Sequence, residues 1–126
     1  MFYAEDKEEK NTINPRPMDD KLLKTRSLLL SGEINKEMAD KFIKDLLILE
    51  GESLEPIKVF INSPGGDVDA GYAIYDMLRF VSCPVTIIGM GLVASAAALV
   101  LLAVDKDHRF GLPDSSYLIH QPLSSM

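Results

Sequence analysis

One serine, one histidine and a pair of adjacent glycines hold the chemistry this sequence can offer. Ser95 stands in "GMGLVASAAA", where strand character gives way to helical character. A hydroxyl there meets the positive end of a helix dipole, which favours a developing anion. Its neighbours Ala94, Ala96, Ala97 and Ala98 are small enough to let a substrate carbonyl approach. A serine in such a place also has a simpler role, capping the helix. His120 ends "YLIH", just before Gln121 and Pro122. A lone histidine on an apolar strand is ordinarily a satisfied core residue, and Gln121 needs no more than a loop partner. Gly65 and Gly66, in "INSPGGD", leave backbone N–H groups with no Cβ in front of them. Such a pair suits a tight strand-to-helix turn, a nest for a phosphate or the pyrophosphate of coenzyme A, or a pocket for an oxyanion.

The three pieces complement one another. A serine becomes nucleophilic when a histidine takes its proton, and the tetrahedral oxyanion that follows needs backbone donors. Ser95, His120 and the Gly65–Gly66 amides supply these parts, provided that the fold brings them together.

The elements needed to do so are legible. "RSLLLSG" (26–32) reads as a buried strand closed by glycine. "INKEMADKFIKDLLILEG" reads as a helix capped by Asn35 and stopped at Gly51, with Met38, Phe42, Leu46 and Leu49 at helical spacing. "IKVFIN" is a second strand, and "DVDAGYAIYDMLRFV" a helix with Asp67 or Asp69 at its cap. "VTIIGMG" is a third strand, "SAAALVLLAV" a third helix, and "YLIH" a last strand. Strands alternating with helices predict an α/β fold with a parallel sheet, whose strand carboxyl ends open into one crevice.

Val85 to Val104 is a run of twenty residues without a charge, long enough to cross a bilayer. Its β-rich first third and Ala-rich remainder, joined at Gly89, Gly91 and Ser95, match a buried strand followed by a buried helix equally well. The chain of 126 residues is 47% hydrophobic and 25% charged, which suits one domain with a real core. Its net charge of −6 argues against a nucleic-acid partner. The single cysteine, Cys83, forms no internal disulfide, fits a reducing compartment and reads as packing beside Pro84. The first 25 residues, "MFYAEDKEEKNTINPRPMDDKLLKT", begin with a charged stretch broken by Pro15 and Pro17. They lack the apolar stretch of a secretory signal and read as a flexible arm.

"INSPGGDVDAGYAIYDML", "GMGLVASAAA" and "LIHQPL" together resemble the proteolytic subunits of the Clp protease (ClpP), a family of caseinolytic serine peptidases. The likeness runs from about Arg26 to the last residues, with the three motifs in the family's order and spacing. It implies a crotonase-like ClpP fold of stacked β-α-β units, with 1–25 as an axial arm and 26–126 as a head domain. It also implies Ser95 as nucleophile, His120 as general base, and the N–H groups of Gly66 and Ala96 as the oxyanion hole, supported by Gly65. Such chemistry needs no cofactor and no metal. The implied partners are an AAA+ unfoldase, unfolded polypeptide substrates, and further subunits in heptameric rings stacked as a tetradecamer. The implied setting is cytoplasmic, without membrane or nucleic acid, and the uncharged run becomes a buried strand and helix.

Three departures from the family pattern stand out. The aspartate that orients the histidine, and the handle helix, are expected beyond Met126, and no family motif gives Asp105, Asp107 or Asp114 that role. Asp67 occupies a place the family mostly leaves uncharged, where it either opposes an oxyanion or caps the helix; the helical pattern that starts there favours the cap. Ala96 replaces a methionine, which bears on the fit of a substrate side chain. These departures keep a non-catalytic ring subunit in view, and behind it a crotonase-type acyl-CoA enzyme.

Overall fold

The structure is a computed structural model that describes residues 17–119. Strands β1 (Ser27–Ser31), β2 (Ile57–Ser63), β3 (Val85–Ala94) and β4 (Arg109–Gly111) lie in the order β1-β2-β3-β4, and a short β5 (Ser116–Leu118) also pairs with β3. Every pairing is parallel. The crossovers are the expected helices: α2 (Lys36–Glu52) between β1 and β2, and α3 (Val68–Phe80) between β2 and β3. α4 (Ala96–Leu101) follows β3 directly.

Alternation along the strands builds the core. Leu28, Leu30, Val59, Ile61 and Ile87 point to one face and are buried against Phe42, Leu46 and Leu49 of α2, Ile74 and Leu78 of α3, and Val100 of α4. The alternate residues form a different surface. Leu29, Phe60, Ile88 and Phe110 are direct register partners, one from each of four neighbouring strands. They make an apolar row across the sheet whose outer members, Leu29 and Phe110, are 53% and 56% exposed.

Several boundaries differ from the sequence reading. α1 (Pro17–Lys24) makes the last part of the supposed arm helical. The fixed φ of proline suits a first helical position, and Leu23 packs against the core. The arm's residues 1–16 lie outside the described residues. At the other end of this helix, Arg26 takes φ 58 and its guanidinium donates to the carbonyls of Leu49, Ser53 and Glu55, closing the C-terminus of α2. α2 accordingly ends at Glu52, not Gly51. Cys83 is buried, its sulfur 3.5 Å from Ser53 O and from the Arg26 guanidinium, as packing rather than an exposed thiol.

The uncharged run divides into β3 and α4, and no helix among the described residues is long and apolar enough to cross a membrane. β3 outlasts the predicted strand because of an irregularity. Its register with β2 shifts between Ile61↔Gly89 and Ser63↔Val93. Gly91, at φ 63, lies in the resulting bulge, and the Asn62 side chain accepts the Leu92 N–H at 3.1 Å. That bulge carries the strand on to Ala94 and delivers Ser95 beyond the sheet's end.

Candidate active site

The glycine pair leaves β2 in a conformation reserved for its residue type, with φ 103 at Gly65 and φ 144 at Gly66. Main-chain bonds fix it. Ile34 N donates to Gly65 O at 2.7 Å, Asp67 N donates to Ile34 O at 2.9 Å, and the buried Ser63 hydroxyl accepts the Gly65 N–H at 3.0 Å. In this parallel bridge, Ile34 uses the groups flanking Gly66, so the N–H of Gly66 itself faces the other way. Among the described residues it donates to no acceptor.

Gly65 meets the serine. A Cβ added to it would lie 2.8 Å from Ala94 O, 2.8 Å from Ser95 Cβ and 3.1 Å from Ala96 N. Gly65 therefore packs against the turn carrying Ser95 and the first amide of α4, and the fold brings the two motifs together.

Ser95 itself departs from the simple capping role. It occupies the N-cap position of α4 with φ 57 and ψ −123, and its side chain makes no capping bond. A positive φ at a residue with a Cβ costs on the order of 1–3 kcal/mol and persists only where the surroundings hold it. Leu118 O of β5 accepts the Ser95 N–H at 2.9 Å, and Ser95 O accepts the Leu99 N–H at 3.2 Å. The hydroxyl is half-buried and committed to no partner among the described residues. Ala96, as the first residue of α4, has an N–H with no intrahelical acceptor.

Ala96 is buried, 5% exposed, with its Cβ directed at α3: a Cβ added to Gly71 would stand 3.1 Å away. The methyl group packs toward α3, so the side chain at this position is turned into the core. Asp67 settles the other ambiguity. Its Oδ2 accepts the Ala70 N–H at 2.8 Å, and Asp67 is the N-cap of α3. The carboxylate is spent on the helix, and Asp69 follows in the first turn. Asp67→Ala should lower stability by about 1 kcal/mol, the usual loss of a cap, and leave kcat/KM nearly unchanged. A melting curve and peptide kinetics on the same preparation check this; a large gain in rate without loss of stability would place the carboxylate in the site.

His120 lies outside the described residues. The described histidine is His108, at the opposite end of β3, where a cavity is lined by Pro84, Val85, Asp105 and His108. Its Nδ1 is 2.8 Å from Asp105 Oδ1, and this hydrogen bond holds the Asp105 carboxyl below the ordinary carboxylate range. Asp105 is thus occupied far from Ser95. Among the described residues, no three His, Cys, Asp or Glu side chains gather as a metal site would require.

Two parts of the site carry no sequence signal: the Ile34 main chain that clamps the glycines, and the Leu118 carbonyl that holds Ser95. Both act through backbone atoms, which any residue type supplies.

The family model for Clp protease matches residues 10–126. The chain belongs to the Clp protease family. It is 53% identical over 128 residues to the ATP-dependent Clp protease proteolytic subunit 2 of Treponema denticola, covering 99% of this chain and 64% of that protein. It is 62% identical over 107 residues to subunit 2 of Treponema pallidum, covering 84% of this chain and 54% of that one. Among solved structures, ClpP1 from Listeria monocytogenes superposes with a TM-score of 0.81 at 48% identity, covering 85% of this chain and 63% of that one. The α/β architecture with its parallel sheet is thus the ClpP fold, and this Clp family chain spans less than two thirds of the length of each of these relatives.

Proposed function

We propose that this chain is the core of an ATP-dependent Clp protease proteolytic subunit, a serine endopeptidase acting on unfolded polypeptides. The observation that carries the proposal is Ser95: a strained backbone presenting a hydroxyl that caps nothing, packed against Gly65 of the glycine pair. In this reading His120 takes the Ser95 proton as Oγ attacks the scissile carbonyl. The oxyanion settles on the N–H groups of Gly66 and Ala96, with Gly65 holding the loop against the serine. His120 then protonates the leaving amine, and water, activated in turn by His120, releases the acyl group from Ser95.

A purely structural ring subunit has no use for a serine held at positive φ, and an acyl-CoA enzyme would use the glycine amides without it. The apolar row Leu29–Phe60–Ile88–Phe110 supports assembly, because a row this exposed suits a face covered by another chain. Heptameric rings stacked as a tetradecamer, fed by an AAA+ unfoldase in the cytoplasm, complete the proposal.

The test pairs the full-length natural protein with a Clp-type AAA+ ATPase and a folded, degradation-tagged substrate. Loss of the substrate should require both ATP and Ser95. Degradation that continues in Ser95→Ala, or that ignores ATP, would overturn the proposal.

A further inference from the structure

The element that holds Ser95 is slight. β5 is three residues long, its residues are exposed, and it pairs with β3 only through Leu92↔Ser116, Val93↔Tyr117 and Ala94↔Leu118. Three residues of edge pairing fix a strand weakly. One β5 side chain reaches well beyond its own register. The phenol of Tyr117 lies across Gly89 of β3 and Gly111 of β4, which are themselves register partners. A Cβ added to Gly89 would come 2.8 Å from Tyr117 Cε1, and one added to Gly111 would come 3.2 Å from Tyr117 Cζ and from Ser115 Oγ. The phenol oxygen is nearer still in both cases. Ser115 closes this seat. Its hydroxyl bonds to Leu112 O at 2.6 Å, and the hydroxyls of Ser115 and Tyr117 lie 2.9 Å apart.

Two glycines paired across adjacent strands thus leave a patch bare of Cβ atoms, and the partly exposed ring lying over it belongs to the strand bonded to Ser95. We propose that Tyr117 is a positioning residue for the nucleophile: seated on the Gly89–Gly111 pair, it fixes β5 so that Leu118 O keeps the Ser95 N–H. That bond holds the backbone at φ 57 and ψ −123. The inference rests on the reading of Ser95 as nucleophile. A strained conformation survives only where its surroundings over-determine it, and a shift of β5 removes one of the two main-chain bonds that do so. The hydroxyl then moves relative to the Gly66 and Ala96 amides.

The experiment follows the rate at which a fluorophosphonate labels Ser95 in the full-length natural protein, normalised to the folded fraction, alongside kcat and KM for a short peptide. Tyr117→Val empties the seat and should lower both labelling rate and kcat by about 10- to 100-fold, with KM within about twofold. Tyr117→Phe keeps the ring and loses only the hydroxyl pair, so its loss should be no more than about threefold. Gly111→Ala displaces the phenol from the β4 side and should mimic Tyr117→Val. The double variant Gly111→Ala with Tyr117→Val should be no slower than either single variant, because the same contact is lost once. Labelling at the unmodified rate in Tyr117→Val, additive losses in the double variant, or a loss that only tracks the folded fraction would overturn the positioning role. Absence of a Ser95 adduct in the unsubstituted protein would instead overturn the nucleophile assignment, and this inference with it.

Discussion

Ser95→Ala in the full-length protein should lower peptide turnover by on the order of 10⁶-fold, the scale on which a serine protease loses its nucleophile. The fold should barely register the change. Ser95 contributes no side-chain cap, so alanine removes no helix-stabilising bond, and alanine at φ 57 is no more strained than serine. A melting temperature within a degree or two of the parent, together with loss of the fluorophosphonate adduct, is the expected pair of results. Turnover preserved within tenfold would move the nucleophile elsewhere.

Gly66→Ala should cause a smaller but still large loss, for a different reason. At φ 144 a side chain is strained, and the new Cβ would strike the backbone of Ile34, with its N only 2.9 Å away and its carbonyl oxygen closer. The loop has to leave Ile34, giving up the bonds to Gly65 O and Asp67 N that set the direction of the Gly66 N–H. Loss of one oxyanion donor costs about 10²–10³ in kcat, and this is the fall expected for short-peptide hydrolysis, with a lower melting temperature. Asp67→Ala is the matched control at the adjoining position, since it loses a cap and leaves the glycine backbone alone. A Gly66→Ala variant with unaltered kcat would remove this amide from the oxyanion hole.

The pieces of this site that depend on residue type are legible in the amino-acid sequence. Paired glycines after an apolar strand, a serine among alanines and an aspartate at a helix start each have few physical uses. Boundaries inside the uncharged run are not legible, because a fully buried strand and a fully buried helix share one composition. The predicted helix through Val104 stops at Leu101, and the predicted strand end at Gly91 gives way to Ala94 beyond a bulge. Gly91 marks that bulge, although a glycine in a strand also marks many other things. Strand β4, Arg109–Gly111, is too short to show a period. The seat under Tyr117 joins positions far apart in the chain, and complementary sizes at distant positions leave no local pattern.

The parallel sheet has a consequence for the order of events in the life of the chain. A parallel pair closes only after its crossover is complete: Leu28 waits for Val59 beyond α2, and Ile57 waits for Val85 beyond α3. Such non-local closures are slow, and a chain leaving the ribosome makes its N-terminal ones first. The Leu118 carbonyl that holds the serine backbone emerges after every other strand partner among the described residues. A nascent chain therefore carries Ser95 for some time without the bond that holds its backbone at φ 57. On the proposed reading of Ser95 as nucleophile, cutting power would follow the pairing of β5 with β3 and not the synthesis of the serine itself, sparing the unfolded polypeptide nearest at hand, the chain itself.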